Sequence, residues 1–212
     1  MMIAWESLSA IGDSRALLPL AAILAVFLPT MHRRLLWRWS AAIGVVAGIT
    51  LASKIAFMGW GLGIESLDFT GISGHAAMSS TIYPIALWLL ACGRSHRPWA
   101  WALAGVLLAV AIAASRLPLR AHSLSEILIG LALGLTATAC VLRNAQASAR
   151  SVAVRGRTAL LAIAVATAFP VLLADLHTHD LVKATAKALS GRERALDRHD
   201  LRSHPAATRQ HH

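Results

Sequence analysis

The sequence predicts an all-α, polytopic membrane protein of about six transmembrane helices. Three observations carry that reading: a scarcity of charge, six long apolar runs, and tryptophans gathered near the ends of those runs. Of the 212 residues, 57% are hydrophobic and only 14% are charged, with a mean hydropathy of +0.61. A soluble domain has roughly a quarter of its residues charged. This chain lacks the charge to cover a globular surface, so lipid must solvate much of it. The net charge of +10 would suit nucleic acid, but the basic residues sit in short clusters between apolar runs. That is a membrane pattern, and it argues against a nucleic-acid partner.

The apolar runs lie at about 16–31, 40–59, 72–92, 99–115, 121–142 and 158–176. A crossing helix needs about 20 residues, so the first run is short. It reads as a retained anchor rather than a cleaved signal, because Glu6 and Asp13 spoil a basic leader and His32-Arg33-Arg34 follows without a small-residue cleavage site. Pro84 and Pro170 fall inside runs, where they are tolerated if neighbours satisfy the carbonyls they free. Trp37, Trp39, Trp60, Trp99 and Trp101 stand near run ends, as an interfacial belt requires. Residues 1–176 read as one transmembrane domain.

Lysines and arginines in the connections set the orientation. Arg33, Arg34, Arg38, Arg94, Arg97, Arg143, Arg150, Arg155 and Arg157 follow the odd-numbered runs, against Arg15, Lys54, Arg116 and Arg120 on the other side. The richer side is expected in the cytoplasm. The connections after runs two and four then face the periplasm or exterior of a bacterial inner membrane. Cys92 and Cys140 fall on the cytoplasmic side, where reduced thiols are expected. The basic tail 177–212, with its histidines, lies on the outer side against the charge rule, and reads as a partly disordered extension with one weak helix near 181–196.

Nearly all the unusual polar chemistry falls in the two outward connections. Ser73-Gly74-His75 opens a helix, where unpaired backbone amides and the dipole attract an anion. Lys54 and Arg116 add full charges, and an arginine can grip two phosphate oxygens. His122 and Glu126 are four apart, on one helical face. The carboxylate can hold one imidazole nitrogen and leave the other free to attack phosphorus, while His75 protonates the leaving oxygen. No carboxylate cluster suited to magnesium is visible, so the chemistry is expected to need no metal or other cofactor. Each residue also has a plainer role available. Lys54 can snorkel, Arg116 and Arg120 can be flanking charges, and Ser79, Ser80, Thr81 and Thr136 can serve helix packing. A carboxylate at Glu126 is harder to explain, because burying it is costly without a partner.

Ile72-Ser73-Gly74-His75, and the stretch from Ser115-Arg116 through His122 to Glu126, resemble the second and third motifs of the type 2 phosphatidic acid phosphatase/haloperoxidase superfamily. Those motifs read Pro-Ser-Gly-His, and Ser-Arg, five residues, His, three residues, Asp. The likeness covers roughly 40–142, the four-helix catalytic core. It implies His122 as nucleophile, Glu126 as its orienter and His75 as general acid, with Lys54, Ser73, Gly74 and Arg116 holding phosphate. The family's first motif is Lys, six residues, Arg-Pro. Here Lys54 stands in place, but Gly61-Leu62 occupy the Arg-Pro positions, and Arg120 is a candidate for the lost charge. Ile72 replaces Pro, and Glu126 replaces Asp. The resemblance implies a phosphatase acting on a lipid phosphate or polyprenyl diphosphate, or else a lipid phosphoryl transferase or an inactive phospholipid-binding relative. The glycine-rich segment 59–71 is expected to form a re-entrant or capping loop over the site, with Glu65 and Asp68 turned away or paired with Lys54 or an arginine.

Overall fold

The computed structural model describes residues 2–27, 33–143, 145, 156–172 and 178–203. Nine α-helices are described: α1 (Met2–Ala10), α2 (Ser14–Val26), α3 (Arg33–Trp60), α4 (Gly74–Ala91), α5 (Pro98–Ser115), α6 (Leu124–Leu142), α7 (Gly156–Leu172), α8 (Thr178–Ser190) and α9 (Arg198–Ser203). Among the described residues, four helical stretches are long and apolar enough to cross a membrane: Met2–Val26, Arg33–Trp60, Pro98–Ser115 and Leu124–Leu142. The protein is a helical membrane protein, but six spans are not established. Two of the expected runs fall short for different reasons. The 18-residue α4 carries His75, Ser79, Ser80 and Thr81 among its apolar residues. The described part of the last run, α7, is 17 residues long. The ends of the first and last runs, 28–31 and 173–176, and the arginines at 150 and 155 lie outside the described residues.

The polar content of α4 is explained by its position. It is the central helix, packed against α2, α3, α5 and α6, and from Ala76 to Ile82 every residue is buried. Glycines let its neighbours approach. A Cβ at Gly134 of α6 would stand 2.1 Å from Ser80 Oγ and 2.3 Å from the Ala77 carbonyl, and one at Gly105 of α5 would meet Pro84 Cα at 2.6 Å. Small residues at such crossings are how membrane helices gain packing when lipid removes the hydrophobic drive.

Pro84 lacks the N–H that would pair with the Ser80 carbonyl one turn back. Thr138 Oγ1 of α6 donates to that carbonyl at 2.7 Å, so the helix needs no water at membrane depth. Trp39 Nε1 donates to the next carbonyl, of Thr81, at 3.4 Å. Trp39 is therefore a buried packing residue and not part of an interfacial belt, whereas Trp37, Trp60, Trp99 and Trp101 are exposed. The Ser79, Ser80 and Thr81 hydroxyls are buried and donate to carbonyls one turn back, whereas Thr136, expected to serve helix packing too, is exposed and bonds within its own helix.

The end of α3 and the starts of α4 and α6 meet at one end of the bundle. The Ile72 amide donates to Ser53 Oγ of α3 at 3.0 Å, and the Ser73 amide donates to the Glu126 carbonyl of α6 at 3.2 Å. The turn between α1 and α2 reaches the same region. There a Cβ at Gly12 would stand 3.2 Å from the His75 ring and 2.2 Å from Ile112.

Within the described residues the tail carries α8, where one weak helix near 181–196 is expected, and the short α9 beyond it. The helix α8 packs on α3, with Ala186 and Ser190 over Gly59. Beyond it, the Leu196 amide donates to the Met58 carbonyl at 2.9 Å. Leu196 and Leu201 then rest against Gly61 and Gly63. The glycine-rich segment is thus a seat for the C-terminal chain. Residues 204–212 lie outside the described residues.

Candidate active site

At the end of the bundle where these helices meet lies a cavity of about 790 Å³. Lys54, Gly74, His75, Arg116 and His122 line it, bringing together residues from α3, α4, the end of α5 and the approach to α6, while Ser73, Arg120 and Glu126 are not among its lining residues. The sequence alone gave no account of the rest of the wall. Asp13 and Arg15 come from the N-terminal region, and His179, Lys183 and Arg198 from the C-terminal segment.

Ser73 is the N-cap of α4, but its side chain caps nothing, and Ser73 Oγ is buried with no hydrogen-bond partner among the described residues. The first-turn amides of the helix therefore lack a side-chain acceptor and lie beside the cavity, where an anion is favoured. Lys54 Nζ lies 4.0 Å from the point where a Cβ on Gly74 would stand. The absent side chain leaves room between the α4 backbone and the ammonium.

Arg116 caps the C-terminus of α5. Its Nη1 donates to Ser9 Oγ of α1, and its Nε is buried without a partner among the described residues. An unpaired guanidinium N–H beside a cationic cavity is a ready donor to a phosphate oxygen. Arg120, by contrast, is exposed, has a positive φ of 51° and is not among the residues lining the cavity. Arg116→Ala should slow turnover roughly 10²–10³-fold, and Arg120→Ala less than about threefold. Phosphate-release rates of the two variants check this.

His122 and Glu126 form a close pair. His122 Nδ1 lies 2.6 Å from Glu126 Oε2, leaving Nε2 as the nitrogen available to the cavity. Glu126 is fully buried and sits at the third position of α6 in a reciprocal capping box with Ser123. Its Oε1 accepts from the Thr70 amide at 2.7 Å and from Thr70 Oγ1 at 2.6 Å. Burial pushes the His122 imidazole below its ordinary range, and the hydrogen bond with Glu126 only partly opposes this. A neutral imidazole with one nitrogen held and one free is what nucleophilic attack requires.

Asp68 pairs with Arg198, Nη1 to Oδ2 at 2.5 Å, and Glu65 is exposed, so neither carboxylate is left facing the cavity unpaired. Sequence reasoning missed Arg198. The signal available was the cluster of lysines and arginines in a tail assigned to the side where such residues are disfavoured.

A helical membrane bundle with a paired histidine and glutamate, two further histidines and several cations around one cavity has the groups that phosphoryl chemistry uses. The PAP2 superfamily model matches residues 60–150. An uncharacterized 22.5 kDa protein in the cps region of Klebsiella pneumoniae is 46% identical over 141 residues, covering 65% of this chain and 68% of that one. The chain belongs to the PAP2 superfamily. No solved structure matches it. The family match contains His75, Arg116, His122 and Glu126, and contains neither Lys54 nor Arg198.

Proposed function

We propose that this protein is a membrane phosphatase that removes phosphate from a lipid phosphate or lipid diphosphate through a phosphohistidine on His122. The observation that carries this reading is the His122–Glu126 pair at 2.6 Å, placed in a cavity shared with His75, Lys54 and Arg116. The phosphate oxygens are held by the Lys54 ammonium, the Arg116 guanidinium and the opening amides of α4. His122 Nε2 attacks phosphorus, and the bond from phosphorus to the leaving oxygen breaks. His75 gives its proton to that oxygen, releasing an alcohol or a lipid monophosphate. Glu126 stabilises the positive charge that develops on the imidazole. Water, deprotonated by His75, then attacks phosphorus, the P–N bond breaks, and inorganic phosphate leaves. The charge is met by side chains and amides, so the scheme calls on no metal, and EDTA should leave the rate unchanged.

The lipid character of the substrate is supported by the other wall of the cavity. Leu18 of α2, Ala47 and Leu51 of α3 and Met78 of α4 line it, and Leu18 and Leu51 are exposed. A chain bound at this wall would leave toward lipid between α2 and α3. In mixed micelles, long-chain lipid phosphates should therefore be hydrolysed in preference to a short-chain soluble phosphate. The opposite order would refute lateral entry. Transfer of phosphate to a lipid alcohol without phosphate release would instead assign a transferase.

The distribution of arginines supports a site on the periplasmic or outer face of a bacterial inner membrane. A cysteine at the exposed Leu117 should react with an impermeant maleimide in intact cells, and one at Arg34 should not. The reverse pattern would move the site to the cytoplasm.

A further inference from the structure

We propose that Arg198, delivered by the C-terminal segment, is a positioning residue for this reaction: it ties the Glu126 carboxylate to the 64–71 loop and sets the charge against which His122 works. The inference rests on the reaction proposed above, with Arg198 acting through Glu126.

Arg198 Nη2 donates to Glu126 Oε2 at 2.7 Å, the same oxygen that lies 2.6 Å from His122 Nδ1. Nη2 also lies 3.3 Å from Thr70 Oγ1. Nη1 donates to Asp68 Oδ2 at 2.5 Å and to the Asp68 carbonyl at 3.1 Å. One planar guanidinium therefore spans the loop and the carboxylate with a geometry that a lysine cannot copy. Its approach is built into the chain. The α8 helix rests on Gly59, Leu196 and Leu201 rest on Gly61 and Gly63, and the Leu196 amide is fixed to the Met58 carbonyl. Arg198 follows two residues after Leu196.

A cation on Oε2 offsets part of the negative charge that would otherwise favour imidazolium at His122. The other ionisable groups acting on His122 are Lys54 of α3, His75 of α4, Arg116 at the end of α5, Glu126 of α6 and His179 of α8. Asp13 and Asp197 also line the cavity, but Glu126 is the carboxylate hydrogen-bonded to His122, so whatever binds Glu126 tunes the nearest electrostatic support for a charged His122. Glu126 does not depend on Arg198 for its place, because Thr70 and the Ser123 amide also hold it. Removing Arg198 should leave the carboxylate seated with its charge uncompensated, and His122 should become easier to protonate.

The test compares the full-length wild type, Arg198→Met and Arg198→Lys in detergent. The His122 imidazole is titrated by NMR of ¹³C-labelled histidine, its signal assigned by loss in His122→Gln. In parallel, kcat/KM is measured against pH on a long-chain lipid phosphate. Arg198→Met should move both the His122 titration and the acid limb to higher pH by about half a unit or more. Arg198→Lys, which keeps the charge and loses the fork, should restore the titration to within about 0.2 unit. If Arg198 only fastened the tail, Arg198→Met would lower the melting temperature or raise KM with the His122 titration unmoved, and the proposal would be overturned. An Arg198→Met protein that does not fold leaves Arg198→Lys to decide: a wild-type titration with slowed turnover supports positioning, and wild-type turnover overturns it. Absence of hydrolysis by the wild type would remove the proposed reaction, while the titration would still report on Arg198.

Discussion

Replacing His122 with alanine should lower phosphate release by roughly 10⁴–10⁶-fold, the scale seen when the nucleophile of a coupled catalytic unit is lost. His122 Nδ1 is committed to Glu126, and Nε2 is the nitrogen left to reach the cavity. Among the described residues, His122 is the one lining histidine that forms an ion pair with an acid. The α6 capping box needs Ser123 and Glu126 rather than His122, so the variant should fold. A loss of less than about tenfold with an intact fold would transfer the nucleophilic role elsewhere.

Glu126→Gln should come next, slowing turnover by roughly two to four orders of magnitude, by analogy with the loss of a triad orienter. The amide keeps the volume but presents one oxygen and one NH₂ to five donor contacts now shared by Thr70, His122, Ser123 and Arg198. At least one buried donor then goes unpaired, and Arg198 loses its anion. The pH dependence supplies a signed check. His122 is held below its ordinary range by burial, with Glu126 pulling the other way, so the wild-type enzyme should stay active as pH falls through 6.5 and lose activity only below that. Glu126→Gln removes the opposing pull, and its acid limb should move lower still. A shift to higher pH would mean that Glu126 is not the group stabilising imidazolium.

Residues that bear on one helix or one tight turn were legible in the sequence. His122 and Glu126 are four apart and meet at 2.6 Å. Ser73-Gly74-His75 reads as a helix opening, and α4 begins at Gly74. The demand that a buried carboxylate be paired pointed to His122, whereas Asp68 was left open between turning away and pairing with Lys54 or an arginine. What escaped the sequence depended on contacts between distant segments. Arg198 is 72 residues from Glu126 and 130 from Asp68, and no local period announces such a meeting. Arg120 was a reasonable substitute by proximity to His122, but its backbone turns at positive φ and leaves it exposed. Trp39 shows the same limit: its closeness to a run end suggested an interface, whereas a carbonyl near the Pro84 break draws its indole inward. The segment around Gly61 was read as a cap over the site. Its glycines in fact accept the leucines that carry Arg198 in.

The central claim is a phosphorus–nitrogen bond on His122. Wild-type protein mixed rapidly with a ³²P-labelled lipid phosphate and quenched in alkali should retain label that survives base and is released by acid. His122→Ala should retain none, and His75→Ala should retain label that turns over slowly on a substrate with a good leaving group. Label that is stable to acid and lost in base, or label that persists in His122→Ala, would contradict the account.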